Sequence, residues 1–223
     1  MRVLVMLLLA WAMPAHACVF VLHGLARGPA SMNRLVEHLA AAGLAPVSVA
    51  YASRTATFEA MVGTLGEAVN ERKDCRERHF VGYSLGALVV RAYLQSPPEG
   101  LGRVVLIAPP NHGSEIIDAI GDTGWFQALM GPVAAQLGTR NGIAQRLPPP
   151  RYPVGVIAGD RSINVLGTAL IPGAHDGTVS VQSARLEGMT DFLLVHRTHT
   201  FIMRAPEVAE ATVRFLRTGR FAG

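Results

Sequence analysis

The chain has 223 residues, of which 50% are apolar and 16% charged, a balance that excludes an intrinsically disordered protein and suffices for one domain with a sizeable core. Its formal net charge of +4 comes almost wholly from arginines scattered singly along the chain, with Lys73 the only lysine. That scatter argues against a nucleic-acid surface and permits only weak, transient attraction to an anionic membrane or lipid surface.

Residues 1–17 read as a secretory signal peptide. Met1-Arg2 is a minimal basic start, residues 3–13 are apolar, and Ala15-His16-Ala17 is a small-x-small cleavage site. Cleavage is expected after Ala17, which places the product in the periplasm or outside the cell. The alternative, an uncleaved anchor, meets an apolar run too short to span a bilayer comfortably. Lipidation of Cys18 is disfavoured because Ala15 and His16 fit a lipobox poorly and a core strand begins at once.

That strand is the apolar run Val19-Phe20-Val21-Leu22, as expected for a strand buried on both faces of a parallel sheet. His23-Gly24-Leu25-Ala26-Arg27-Gly28 is a loop. Ser31 is placed to cap a helix that reaches about Ala42 and stops at Gly43. Residues 46–51 read as a strand, and residues 57–72 as a helix with Met61, Leu65 and Val69 on one face. A short strand at His79-Phe80-Val81 leads through Gly82-Tyr83-Ser84-Leu85-Gly86 into a helix over residues 84–95. Residues 103–108 and 154–158 are further strands. Residues 192–196 are the last strand, and residues 206–217 the closing helix, with Pro206 suited to its first turn.

Strand and helix alternate over residues 18–223, so the fold class is α/β with a minimal core of about six mainly parallel strands flanked by helices, in one domain. Residues 111–150 break the alternation. Trp125, Phe126, Leu129, Met130, Val133 and Leu137 suggest one short amphipathic helix with a wide apolar side. Ordinary packing on the core accounts for it, and so does a small cap or lid over a site. Pro148-Pro149-Pro150 would end the segment.

Gly82-Tyr83-Ser84-Leu85-Gly86 between strand and helix forms a nucleophile elbow, a tight turn that projects the Ser84 hydroxyl above the sheet. Gly82 and Gly86 are needed because side chains there would collide with the neighbouring strand or helix. A serine nucleophile needs a base, and His199, in the loop after the last strand, stands where the base belongs. His196 falls inside the strand pattern and is expected to pack; His23, His112 and His175 also lie near the rim. Two acids compete to orient the base. Asp176 lies in His175-Asp176-Gly177-Thr178-Val179, a turn that would aim its carboxylate at an imidazole while burying the apolar residues after it. Asp160 directly ends a strand and suits a structural turn or a supporting contact. The backbone N–H groups of Leu85 and Leu25 are the expected oxyanion donors. No His or Cys pair has metal-ligand spacing, and no glycine loop has the pattern that cradles phosphate, so no metal and no cofactor are expected.

Taken together, His23-Gly24, the Gly-Tyr-Ser-Leu-Gly elbow, His-Asp-Gly-Thr-Val and Thr198-His199-Thr200-Phe201 make the chain resemble the α/β-hydrolase superfamily. The resemblance is to small exported bacterial lipases and esterases of the class 2 lipase-like and lipase-like deacylase branch. It runs from Cys18 to about Phe215. It implies a Ser84–Asp176–His199 triad, an acyl-enzyme intermediate, a lipidic or otherwise apolar ester as substrate and no cofactor. An acyltransferase or thioesterase would use the same triad. Asn111-His112-Gly113-Ser114 is similar to the segment that begins a lipase cap. In this topology the strands that follow Cys18 and Cys75 are parallel neighbours, and an exported protein with two cysteines is expected to bridge them; two unpaired thiols are the alternative.

Overall fold

The structure, a computed structural model, describes residues 16–222. The expected signal peptide lies outside the described residues apart from His16 and Ala17, which belong to the first strand. A cut after Ala17 would therefore leave Cys18 at that strand's start.

Six strands form one sheet: β1 (His16–Leu22), β2 (Ala45–Val49), β3 (Cys75–Tyr83), β4 (Leu101–Ile107), β5 (Val154–Gly159) and β6 (Asp191–Val195). Their spatial order is β2-β1-β3-β4-β5-β6, and every pairing is parallel. The helices between them are α1 (Asn33–Ala41), α2 (Phe58–Glu71) and α3 (Leu85–Tyr93), then α4 (Glu115–Ile120) and α5 (Gly124–Met130), then α6 (Val165–Leu170), α7 (Val181–Ala184) and α8 (Pro206–Thr218).

β1 shows why the strands read as unbroken apolar runs. Phe20 and Leu22 join Met61 and Leu65 of α2, Leu88 of α3 and Phe80 in the core on one face of the sheet. Val19 and Val21 join Leu35 and Leu39 of α1 and Phe215 of α8 on the other. With helices on both faces, successive residues are all excluded from water, and alternation disappears.

Cys18 and Cys75 form a disulfide with a Cα–Cα distance of 5.6 Å, tying β1 to β3 near their starting ends. The chain leaves β1 toward β2 at the sheet edge, then crosses back to β3 on the other side of β1. Connections from β1 and β3 thus diverge, and a crevice opens at their carboxyl ends.

Three local expectations are corrected. Ser31 does not cap α1: it lies in a 3-10 turn (Pro29–Met32), and its hydroxyl donates to the Gly28 carbonyl at 2.7 Å. The expected single helix from Trp125 to Leu137 is instead α5 followed by a 3-10 turn (Ala134–Leu137). Thr123 is the N-cap of α5, and Gly131 stops that helix at φ +86°, where a Cβ would stand 1.8 Å from the Arg54 carbonyl. His196 does not pack. It follows β6 with a side chain 75% exposed, and its Nδ1 meets Asp160 Oδ1 at 2.9 Å.

Candidate active site

The turn after β3 holds Ser84 at φ 53° and ψ −120°, a left-handed φ that a side chain adopts only under constraint. The Ser84 N–H donates to the Ile107 carbonyl at 2.9 Å, fastening the turn to β4. The two glycines explain how so tight a turn closes. A Cβ at Gly82 would lie 2.6 Å from the Ala87 Cα, and one at Gly86 would lie 2.6 Å from the His23 carbonyl oxygen.

His199 arrives from the loop after β6. Its Nε2 is 3.0 Å from Ser84 Oγ, and its Nδ1 is 2.7 Å from Asp176 Oδ2. Asp176 is almost fully buried, and its other oxygen is not idle. Oδ1 accepts the N–H groups of Thr178 at 2.9 Å and Val179 at 2.8 Å, so the Asp-Gly-Thr-Val turn folds around its own carboxylate. The His199 N–H donates to the Asp176 carbonyl at 2.9 Å, joining the two loops a second time. The imidazole thus bridges the serine hydroxyl through Nε2 and the buried Asp176 carboxyl group through Nδ1.

The other candidates are engaged elsewhere. Asp160 pairs with His196, away from His199. His175 Nδ1 accepts the Gly177 N–H, His112 faces the Ser183 carbonyl, and His23 is buried and stacked on Tyr51 at 4.1 Å between ring centres.

Leu85 opens α3, so its N–H has no acceptor within the helix. Leu25 lies in the loop after β1 and lines the same cavity as Ser84 and His199. Gly24 brings that loop close: a Cβ there would meet the Tyr83 ring at 2.9 Å and Ser84 Cβ at 3.2 Å.

The cavity above Ser84 has a volume of about 320 Å³. Ile116, Ile117 and Ile120 of α4, Trp125 and Phe126 of α5 and Leu166 of α6 supply most of its apolar wall, so residues 111–150 form one side of it. Cys18 and Cys75 group with Asp74 as the one cluster of potential metal ligands among the described residues, and their sulfurs are bonded to each other.

Sequence reasoning missed two contributors. The Tyr83 hydroxyl donates to the His199 carbonyl at 2.8 Å, and burial first, then the Asp176 charge, pushes its pKa above the ordinary tyrosine range. Asn164, another lining residue, donates from Nδ2 to the Gly177 carbonyl at 2.9 Å and braces the acid turn. Tyr83 stood inside the elbow motif, but no spacing says which carbonyl a tyrosine will reach. Asn164 carried no pattern at all.

No family model and no curated protein matches the chain. Solved structures do resemble it. The mature form of the Bacillus licheniformis lipase BlEst2 superimposes with a TM-score of 0.73 at 19% identity, covering 93% of each chain. Phospholipase PlaB from Legionella pneumophila gives 0.73 at 14% identity, over 92% of this chain and 60% of that one. A lipase-esterase related protein from Clostridium acetobutylicum gives 0.59 at 12% identity, over 91% and 95%. Together with the parallel sheet and the elbow that ends β3, these likenesses show that the chain has the α/β-hydrolase fold.

Proposed function

We propose that this chain is a serine hydrolase of carboxylic esters with apolar acyl groups. Ser84 is its nucleophile, His199 its general base and acid, and Asp176 the group that orients the imidazole. The relay from Ser84 Oγ to His199 Nε2 at 3.0 Å and from His199 Nδ1 to Asp176 Oδ2 at 2.7 Å, below an apolar cavity, carries the reading. Ser84 Oγ attacks the ester carbonyl while His199 Nε2 takes its proton. The N–H groups of Leu85 and Leu25 receive the oxyanion. Collapse expels the alcohol, protonated by His199, and leaves an acyl-serine. A water deprotonated by His199 then releases the acid and restores Ser84. Asp176 remains a carboxylate throughout.

The cavity belongs to the acyl group, with residues 111–150 acting as a cap. Lipase and phospholipase names among the similar structures support an ester substrate. The Cys18–Cys75 bridge supports an oxidising compartment and hence export.

Hydrolysis of p-nitrophenyl esters from acetate to palmitate tests the reading. A cavity at the small end of ligand sites predicts an optimum between butyrate and octanoate. Ser84→Ala and His199→Ala are each expected to lower kcat by at least about 10³-fold with the fold intact, and Ser84→Ala to abolish labelling by a fluorophosphonate. Undiminished turnover by Ser84→Ala would overturn it.

A further inference from the structure

The mouth of the cavity is chemically lopsided. α4, α5 and α6 build most of its apolar wall, and no lining residue is acidic. The loop after β1 contributes Arg27 to the lining. The backbone is held there at some cost. Ala26, directly before it, has φ 52°, a left-handed conformation that a residue with a Cβ rarely adopts. The Ser53 hydroxyl, on a buried residue, donates to the Arg27 carbonyl at 3.2 Å. The side chain itself is exposed and, among the described residues, has no hydrogen-bond or ion-pair partner.

A second guanidinium stands on a neighbouring turn. Arg204 ends the 3-10 turn Ile202–Arg204, which packs against the turn Pro29–Met32 that follows Arg27. It too lacks a side-chain partner among the described residues. The charges of both arginines act on the Tyr83 hydroxyl, the group that holds the His199 carbonyl. The carboxylate acting on that hydroxyl is Asp176, which is buried and already bonded to two N–H groups and an imidazole. Arg27 is thus the one Lys, Arg, Asp or Glu among the residues that line the cavity.

We propose that Arg27 makes the site selective for esters with an anionic group, a phosphate or a carboxylate, on the arm that points away from the apolar cavity. The inference rests on the ester-hydrolase reading above and names its substrate class. An acyl chain against Ile116, Ile120 and Trp125 leaves the other arm directed toward Arg27, where a planar guanidinium can bind an anion through two parallel N–H donors. Arg204 adds longer-range attraction to the same group.

Two pairs of octanoate esters test this. The carboxylate pair is 3-octanoyloxy-4-nitrobenzoate and neutral 2-nitrophenyl octanoate. The phosphate pair is octanoyl glycerol 3-phosphate and neutral monooctanoylglycerol. Each is assayed with the wild type, Arg27→Gln and Arg27→Lys, and the anionic-to-neutral ratio of kcat/KM is compared between proteins so that intrinsic reactivity cancels. The side-chain changes leave the Ser53–Arg27 carbonyl bond available. Arg27→Gln is expected to lower the ratio about ten-fold, chiefly through KM, with Arg27→Lys intermediate and the wild-type ratio falling as salt is raised. A change in one pair alone would support the proposal and identify which anion is recognised. An unchanged ratio in both pairs, or equal loss on neutral and anionic esters, would overturn the proposal while leaving the ester-hydrolase reading standing. Absence of all ester turnover and of fluorophosphonate labelling would overturn that reading, and this one with it.

Discussion

Tyr83 illustrates how much of the candidate site is held by groups that never meet a substrate carbonyl. Its hydroxyl donates to the backbone of His199, and its ring lies 5.4 Å from the imidazole. A net hydrogen bond of this kind is worth about 1 kcal/mol. Tyr83→Phe keeps the ring and removes only the donor, so the loop that carries His199 loses one of its anchors. The bond from the His199 N–H to the Asp176 carbonyl remains. The expected result is a fall in kcat of roughly three- to ten-fold with KM little changed, because orientation of the base matters in the transition state and not in ester binding. A structural role alone would lower the melting temperature and leave kcat per folded molecule untouched; that outcome, read from steady-state kinetics beside thermal unfolding, would refute the positioning role. The arrangement of Ser84, Asp176 and His199 was legible at this scale because glycine spacing, turn chemistry and chain order each leave a mark in sequence. Tyr83 and Asn164 were not, since their partners are backbone carbonyls from loops distant along the chain.

The elements divide in the same way. Strands were legible because burial on both faces of the sheet requires runs such as Val19-Phe20-Val21-Leu22, and α2 because Met61, Leu65 and Val69 recur on one buried face. α6 was not. Val165 and Leu166 are 82% and 50% exposed, so no burial period marks them, and the helix has only six residues. Nor could sequence separate α5 from the 3-10 turn after it (Ala134–Leu137), since that break depends on Gly131 meeting the Arg54 carbonyl across the fold. The disulfide links elements at the end opposite the site. Cys75 and Ser84 bracket β3, roughly 30 Å of extended chain. The bridge closes a loop with a sequence separation of 57, for which chain entropy predicts stabilisation of up to ~4 kcal/mol. The double change Cys18→Ser and Cys75→Ser is expected to lower urea stability toward that value while kcat at 20 °C stays within about two-fold. Unaltered stability would show the bridge to be dispensable. Lost activity in a folded double variant would contradict the separation of scaffold from site.

At the scale of the whole molecule, the crevice at the β1–β3 divergence gathers the loop after β1, the elbow after β3 and the loop after β6, while two buried histidines lie beneath or behind them. His23 directly follows β1 within this assembly. Burial pushes its pKa below the ordinary histidine value, opposed by hydrogen bonds with the backbone of Gly24 and Tyr51. Its Nδ1 is 3.0 Å from the Gly24 carbonyl, and its Nε2 is buried without a hydrogen bond of its own, so burial outweighs the two backbone contacts. His79, in β3, is also lowered, first by burial and then by the Arg103 charge, against the opposing Glu77 charge. Its Nδ1 accepts the Arg103 N–H at 2.9 Å. The direction of the pH effect comes from proton counts. Between the depressed folded values and the unfolded value near 6.5, the unfolded chain binds more protons, so stability rises with pH there and is flat, as far as these groups act, above it. Each histidine contributes a slope of up to ~1.4 kcal/mol per pH unit. Urea midpoints measured at pH 7.5, 6.5 and 5.5 are therefore expected to agree at the upper two values within a small margin and to drop at the lowest. His23→Gln, which is neutral at every pH, is expected to flatten the drop by about half, whatever it does to stability at pH 7.5. A wild-type midpoint that is level or rising from pH 6.5 to 5.5 would mean that both imidazoles take up protons within the fold, and that the enclosure of His23 behind the elbow is looser than its burial indicates.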